Sequence, residues 1–418
     1  MIADRGWDLH LFPAYPAPPN PHMCAVRIHQ PYVPPARGDG ERELPLPGFA
    51  RADMSPARLV PFEVSTNLFA ETRGDPAGRV SLGEAGGTAA ALHGPKVLRD
   101  LIKRLKPDLI HSMEFQLCGY LVSKAKQAYA GSFPAWLATN WGSDIFYFGR
   151  QEQHQKQIER LLQQIDFYSC ECHRDIALAR AFGYRGPVLT VLPNTGGFDL
   201  SYIAKLQSGI PPSRRKRIMV KGYEHFAGRA LRSLGILESL THELKDYEII
   251  LYSGGHEPIS RARELVRRGL LNITVIGWAT HDQMLSYFGS SRLYLGVSIS
   301  DAISTSVLEA MAMGAFPIQT NTSCCDEWFD DGVGGFIVPP DDTDLIRARL
   351  LTALRDNRLV DEAAETNART VDQRLNRRKL APRVAAFYKP IFDHLRLSGQ
   401  VDIRSAPSNE LTPACISE

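Results

Sequence analysis

Between residues 217 and 356 the chain alternates six short runs of β-formers with helical stretches. The runs are residues 218–220, 248–252, 273–276, 293–297, 316–319 and 336–338. Helical spacing marks residues 228–244, 258–268, 282–288, 304–313 and 344–355. Short apolar runs separated by amphipathic helices bury themselves only as a parallel sheet covered on both faces. The pattern therefore predicts an α/β, doubly wound unit of the Rossmann kind, with ligands bound outside the carboxyl ends of its strands.

The first half repeats the pattern less cleanly. Strands are expected at residues 7–12, 25–28, 107–112, 135–139, 167–169 and 188–192, and helices at 97–105, 119–127, 151–164 and 175–182. The first 61 residues hold 12 of the 28 prolines. Proline lacks a backbone donor, so residues 31–61 read as a long irregular loop. Residues 211–217 read as a linker. The expected domains are 1–200 and 201–380, then a helix at 381–397 and a disordered tail at 398–418. Two such units in tandem imply a ligand cleft between them.

Composition narrows the function. The 48 Lys+Arg nearly balance the 46 Asp+Glu, so no nucleic-acid partner is expected. No apolar stretch is long enough to cross a bilayer, and the N-terminus does not read as a signal peptide. The seven cysteines are scattered, which fits a reduced, cytoplasmic compartment. Cys170-Glu171-Cys172 lacks a second pair at zinc spacing, so no metal site and no cofactor are expected.

The residues that carry chemistry cluster at 298–314. A strand ends, a small polar turn follows, and a helix begins near Ser304. The first backbone N–H groups of such a helix bind anions. Ser304, Thr305 and Ser306 add hydroxyls without bulk, which suits a phosphate. Asp301 and Glu309 are carboxylates able to accept the hydroxyls of a sugar and a ribose. The plainer alternative makes Asp301 an N-cap and Glu309 a solvated helix residue.

Asp301-x7-Glu309, followed by Ala310-Met311-Ala312-Met313-Gly314-Ala315-Phe316-Pro317, resembles the retaining glycosyltransferases of family 4, which have the GT-B fold. Asp326-Glu327, Asp331-Gly332 and Gly335-Phe336-Ile337-Val338-Pro339-Pro340-Asp341 extend the resemblance. It implies two Rossmann-like domains facing across a cleft, and transfer of a sugar from a nucleotide diphosphate sugar to a glycan or lipid-linked acceptor. Asp301 would hold the donor sugar, Glu309 the ribose, and Ser304 to Ser306 the distal phosphate. Gly277-Trp278 would lie against the base, with Lys221-Gly222 on the donor side.

The chain departs from that family in places. Tyr223 and Gly228 stand where an Arg and a Lys usually neutralise the leaving diphosphate. Arg229 is expected to replace them, with Lys221 assisting. In Thr139-Asn140-Trp141-Gly142-Ser143-Asp144, Trp141 stands where the family has His, while Asp144 is kept. His111, Glu114 and Asp144 are the acceptor-side candidates. The resemblance finds no counterpart of the family's first strand and Gly-rich loop before Arg5-Gly6-Trp7, which implies a native protein longer at its start. A non-catalytic nucleotide-binding subunit, an epimerase and a phosphorylase of similar architecture are the competing readings. The basic runs 214–217 and 377–379 suggest peripheral contact with anionic membrane.

Overall fold

The computed structural model describes residues 7–14, 26–30, 58–61, 94–277 and 279–397. The expectations for the proline-rich loop, for Trp278 and for the tail at 398–418 lie outside the described residues, apart from the short segment 58–61.

Two compact units form. One comprises the described residues up to Thr139 together with 159–168 and 384–397; the other comprises 140–158 and 169–383. The division differs from the sequence expectation of a boundary near residue 200. Residues 140–158 and 169–200 belong to the second unit, and the chain returns to the first at Val384.

The first unit holds two three-stranded sheets. Strands β1 (Leu9–Leu11), β2 (Val26–Gln30) and β3 (Arg58–Pro61) pair in parallel. β3 falls inside the stretch expected to be loop. It is only four residues long and ends on a proline, which an edge strand tolerates. Helix α1 (Pro95–Leu105) buries Leu98, Leu101 and Ile102, one face at helical spacing. It ends at Lys106, which adopts a left-handed conformation. Strands β4 (Leu109–Met113), β5 (Ala135–Thr139) and β6 (Phe167–Ser169) follow, with α2 (Tyr120–Gln127) between the first two. Between β5 and β6 lie the short α3 (Ser143–Phe146) and α4 (Glu152–Leu162).

The second unit is built on six strands: β7 (Arg217–Lys221), β10 (Glu248–Tyr252), β11 (Asn272–Ile276), β12 (Leu293–Gly296), β13 (Phe316–Thr320) and β14 (Phe336–Val338). A two-residue-per-strand hairpin, β8 (Glu224–His225) and β9 (Gly228–Arg229), is inserted after β7. The sheet order is β11-β10-β7-β12-β13-β14 and all its pairs are parallel. Successive residues alternate between two cores. Ile218, Val220, Ile249 and Leu251 face one, while Met219, Ile250 and Tyr252 face the other. A sheet buried on both faces requires such apolar runs.

Helix α5 (His173–Ala181) precedes it, and α6 (Leu200–Leu206), α7 (Ala230–Glu238), α8 (His256–Arg267), α9 (His281–Gly289), α10 (Thr305–Met313), α11 (Thr343–Arg355) and α12 (Asn357–Arg374) cover it. Three expectations fail locally. The helix expected at 228–244 starts at Ala230, because Gly228 and Arg229 pair with the hairpin strand, and it ends at Glu238. Residues 188–192 form no extended strand. The 18-residue α12 was not foreseen; it buries only Val360, Ala363, Asn367 and Val371, a stripe too narrow to stand out in a charged stretch.

The chain ends in α13 (Arg377–Phe387) and α14 (Lys389–Leu397) where one helix was expected at 381–397. Tyr388 and Phe392 each pack edge-on against Trp7 at 5.0 Å between ring centroids. That packing brings the last described residues back to the first unit.

Candidate active site in the second unit

In the order β11-β10-β7-β12-β13-β14, the direction of winding reverses between β7 and β12. Loops leaving the carboxyl ends of those two strands part there and open a crevice, where α/β sheets bind ligands. Lys221 is the last residue of β7, and the loop 297–304 leaves β12. The fold therefore brings Lys221 to the same place as Asp301 and the start of α10.

Lys221 is mostly buried, and burial pushes its pKa down. The carboxylates of Asp301 and Glu309 push it back up. Asp301 answers in kind: burial raises its pKa, and Lys221, the Ala302 N–H and Arg174 oppose the rise. One Asp301 oxygen accepts the Ala302 N–H at 2.9 Å. Arg174 donates to the Asp301 and Thr322 carbonyls at 2.9 and 3.0 Å, which fixes the loop's backbone.

The N-terminus of α10 carries no side-chain cap, so its leading N–H groups remain available for an anion. Thr305 is exposed there. Ser306 is buried, and its Oγ accepts the Tyr252 hydroxyl at 2.7 Å. Ser304 is the N-cap residue by position. Its hydroxyl is buried beside the Tyr294 phenol, without a hydrogen bond of sound geometry.

Glu309, a full turn into α10, is 8% exposed. Its Oε1 lies 2.8 Å from His281 Nε2 at the start of α9. The Glu309 hydrogen bond raises the His281 pKa, against burial. Sequence reasoning missed His281. The signal was present: Thr280-x-x-Gln283 is a capping box, and both of its hydrogen bonds form. It starts the helix one residue before the expected 282 and places His281 at its first position.

A second missed residue is Glu171. Burial pushes its pKa up to about 8. The Asn194 N–H, donating at 2.7 Å, opposes that, while Asp301, Asp175 and Asp144 add to it. A carboxyl that keeps its proton near neutrality thus stands within electrostatic reach of Asp301.

The remaining candidates are placed otherwise. Arg229 binds the Asp341 carboxylate at 2.7 Å. It lines a cavity of about 480 Å³ with Tyr147, Phe226 and Ile299. The cations acting on Asp301 are Lys221 and Arg174. Lys221, not Arg229, is thus the expected cation that acts on Asp301. Tyr223 stacks on His225, and Lys221 Nζ lies 4.8 Å from its ring centre. Gly222 is needed for backbone packing, since a Cβ there would meet Gly254 Cα at 2.6 Å. Gly277 is exposed with open space around it.

His111, in the first unit, is held through both ring nitrogens, by Tyr388 Oη at 3.0 Å and Thr139 Oγ1 at 2.6 Å. Burial pushes its pKa down to about 4. Glu114 caps the turn that follows it and accepts the N–H groups of Gln116, Leu117 and Cys118. Asp144 accepts the Trp141 N–H at 3.0 Å. Each of these three side chains thus serves local structure. The basic run 214–217 is similarly engaged. Arg215 is buried on the Ser291 and Met313 carbonyls, Lys216 lies over Tyr247, and Arg217 pairs with Glu248.

Residues 229–356 match the sequence profile of the family Glycosyl transferases group 1, and residues 86–168 match that of Glycosyl transferase 4-like. The chain is a group 1 glycosyltransferase. Solved structures share its fold. Sucrose-phosphate synthase from Thermosynechococcus elongatus superposes with a TM-score of 0.64 at 14% identity, over 88% of this chain and 89% of its own. A UDP-forming trehalose-phosphate synthase from Burkholderia xenovorans gives 0.56 at 12% identity, over 73% and 78%. The pneumococcal O-GlcNAc transferase solved with UDP and GlcNAc gives 0.55 at 16% identity, over 70% and 60%. No curated protein sequence matches the chain. The transferase thus has the GT-B fold that its sequence implies. Among the described residues no helix is long and apolar enough to cross a membrane.

Proposed function

We propose that the transferase moves a sugar from a nucleotide diphosphate sugar, with UDP as the nucleotide, to an acceptor hydroxyl with retention at the anomeric carbon. The observation that carries the reading is Lys221, flanked by Asp301 and Glu309 at the point where the sheet reverses. A cation within electrostatic reach of two carboxylates suits a ligand with a diphosphate in the middle and a polyol at each end. The phosphates take the N-terminus of α10 and Lys221. Glu309 takes the ribose, and Asp301 the hydroxyls of the sugar.

In this reading the reaction needs little side-chain proton transfer. The C–O bond to the diphosphate breaks on the face that the acceptor approaches. The departing phosphate oxygen receives the acceptor proton as the new C–O bond forms. Lys221 and the N–H groups of Thr305 and Ser306 stabilise the charge that grows on the leaving group, an effect strongest in a site that excludes water. Glycan, lipid-linked and sugar-phosphate acceptors are the classes to test.

Calorimetry with UDP tests the donor half. Glu309→Ala should weaken binding by about 1.5–3 kcal/mol, as for a hydrogen bond to a charged group. That is roughly a 10- to 150-fold rise in Kd. Unchanged affinity in a folded variant would refute the ribose assignment. Proton NMR of the product formed from a UDP-α-sugar tests retention, since a β-linked product would overturn it.

A further inference from the structure

Beneath Asp301 lies a group of side chains that the transfer reaction does not use. Ala302 packs with Cys172 and Cys324 in a small buried cluster. Cys172 comes just before α5, and Cys324 from the loop after β13. The two sulfurs lie within 4.8 Å of each other. Glu327, three residues beyond Cys324, joins them. One ligand atom from each of Cys172, Cys324 and Glu327 falls within a set whose members are all within 4.8 Å of one another.

We propose that Cys172, Cys324 and Glu327 form a zinc site that anchors the Asp301 loop from below. Two thiolates and one carboxylate are a donor set suited to Zn²⁺, with Zn–S near 2.3 Å and Zn–O near 2.0–2.2 Å. Thiolates select against the hard cations that prefer all-oxygen sites. A fourth, tetrahedral position stays open to water on the side where Glu327 reaches solvent, its side chain being 18% exposed.

Three features show the donors to be held in place. Cys324 has φ 45°, the left-handed region that non-glycine residues seldom enter. Such strain persists where surrounding structure enforces it. The Glu327 carboxylate is oriented by His173, whose backbone N–H donates at 2.7 Å and whose Nδ1 lies at 2.8 Å. A group that fixes a metal-binding carboxylate in this way is characteristic of metal sites. Arg174, two residues after Cys172, donates to the Asp301 carbonyl at 2.9 Å and so ties the cysteine segment to the Asp301 loop. Zinc uptake replaces two S–H bonds by two Zn–S bonds and releases both protons to solvent, so affinity falls as pH falls.

The test uses the full chain without a purification tag, isolated without chelator. Metal analysis should find one zinc per chain. Replacing it with cobalt should give the thiolate-to-metal charge-transfer absorption. Cys172→Ser and Cys324→Ser should abolish both signals, and Glu327→Gln should weaken zinc binding at least tenfold. Cys170→Ser, next door but outside the triangle, should change neither. If either serine variant fails to fold, cobalt titration of chelator-stripped wild-type protein decides. Absence of the charge-transfer band there would overturn the proposal. So would equal zinc content in wild type and Cys172→Ser, or an intact mass two hydrogens light from a Cys172–Cys324 disulfide. None of these readouts depends on sugar transfer, so this site and the donor assignment fail independently.

Discussion

Gly142 offers the sharpest test of how the Asp301 loop is held. It lies at the centre of a γ-turn: φ is 78° and ψ −70°, and the Ser143 N–H donates to the Trp141 carbonyl at 3.0 Å. This form of the turn is rare and strained for any residue with a side chain. A Cβ at Gly142 would also sit 2.2 Å from Ala302 N, 2.5 Å from its Cα and 2.6 Å from its Cβ. Ordinary contact begins at 3.4 Å, so Gly142→Ala forces the two segments apart by more than about 1 Å. Backbone strain costs about 1–3 kcal/mol, and overpacking adds about 1–3 kcal/mol. The expected loss is roughly 2–6 kcal/mol, a large part of a typical stability of about 5–15 kcal/mol. Gly332→Ala is the control, because Gly332 also has φ 78° but nothing within 4 Å. It should lose only the left-handed penalty, about 1–2 kcal/mol. Urea midpoints at unchanged slope give the two values. Because Ala302 follows Asp301, Gly142→Ala should also lower turnover, by about 10²-fold for a 1 Å misplacement. A Gly142→Ala midpoint no lower than that of Gly332→Ala, with turnover intact, would refute the reasoning.

Three further outcomes are expected. Lys221→Met should lower kcat about 10²–10³-fold with little change in KM, as for loss of a donor to developing charge; an equal loss in Arg229→Ala, with Lys221→Met mild, would return the cation role to Arg229. His281→Ala should cost up to about 1 kcal/mol. The folded-state pKa of His281 is raised, so that loss should be complete below about pH 6.5 and fade as pH rises through the raised value; thermal melts across pH would show it, and a pH-independent loss would contradict the ion pair. Glu171 has a folded pKa of about 8 against an ordinary 4.5. The folded state therefore holds a proton that the unfolded state releases, and the native protein loses stability as pH rises between those values. Glu171→Gln should remove this loss, leaving the variant more stable than wild type at about pH 8.5 but not at about pH 4. Parallel stability curves for the two proteins would exclude it.

The second unit was legible because its strands are apolar on both faces. All six runs between Ile218 and Val338 became strands, since nothing but a doubly covered sheet buries Ile249 and Ile250 together. The turn before α10 was legible because Ser304 to Ser306 are small and polar where a strand gives way to a helix. What the sequence hid depends on partners distant in the chain. The pairing of Arg229 with Asp341, 112 residues away, is invisible to local spacing. His111 looked available because Tyr388 and Thr139 approach it only in the folded unit. Cys172 looked unpartnered because its neighbours come from the loop after β13. β3 was hidden by the prolines around it, and α12 by the narrowness of its apolar stripe.

The return of the chain at Val384 bears on how the protein is made. Trp7 and His111 are covered by Tyr388 and Phe392, which are among the last described residues to be synthesised. The unit that contains residues 169–383 has all of its own strands by then. Domains usually complete in order from the N-terminus as they leave the ribosome; here the order is reversed. Trp7 and His111 wait for residues made 277 or more positions later, and a message cut short after codon 383 would yield the six-stranded sheet without the side chains that cover them.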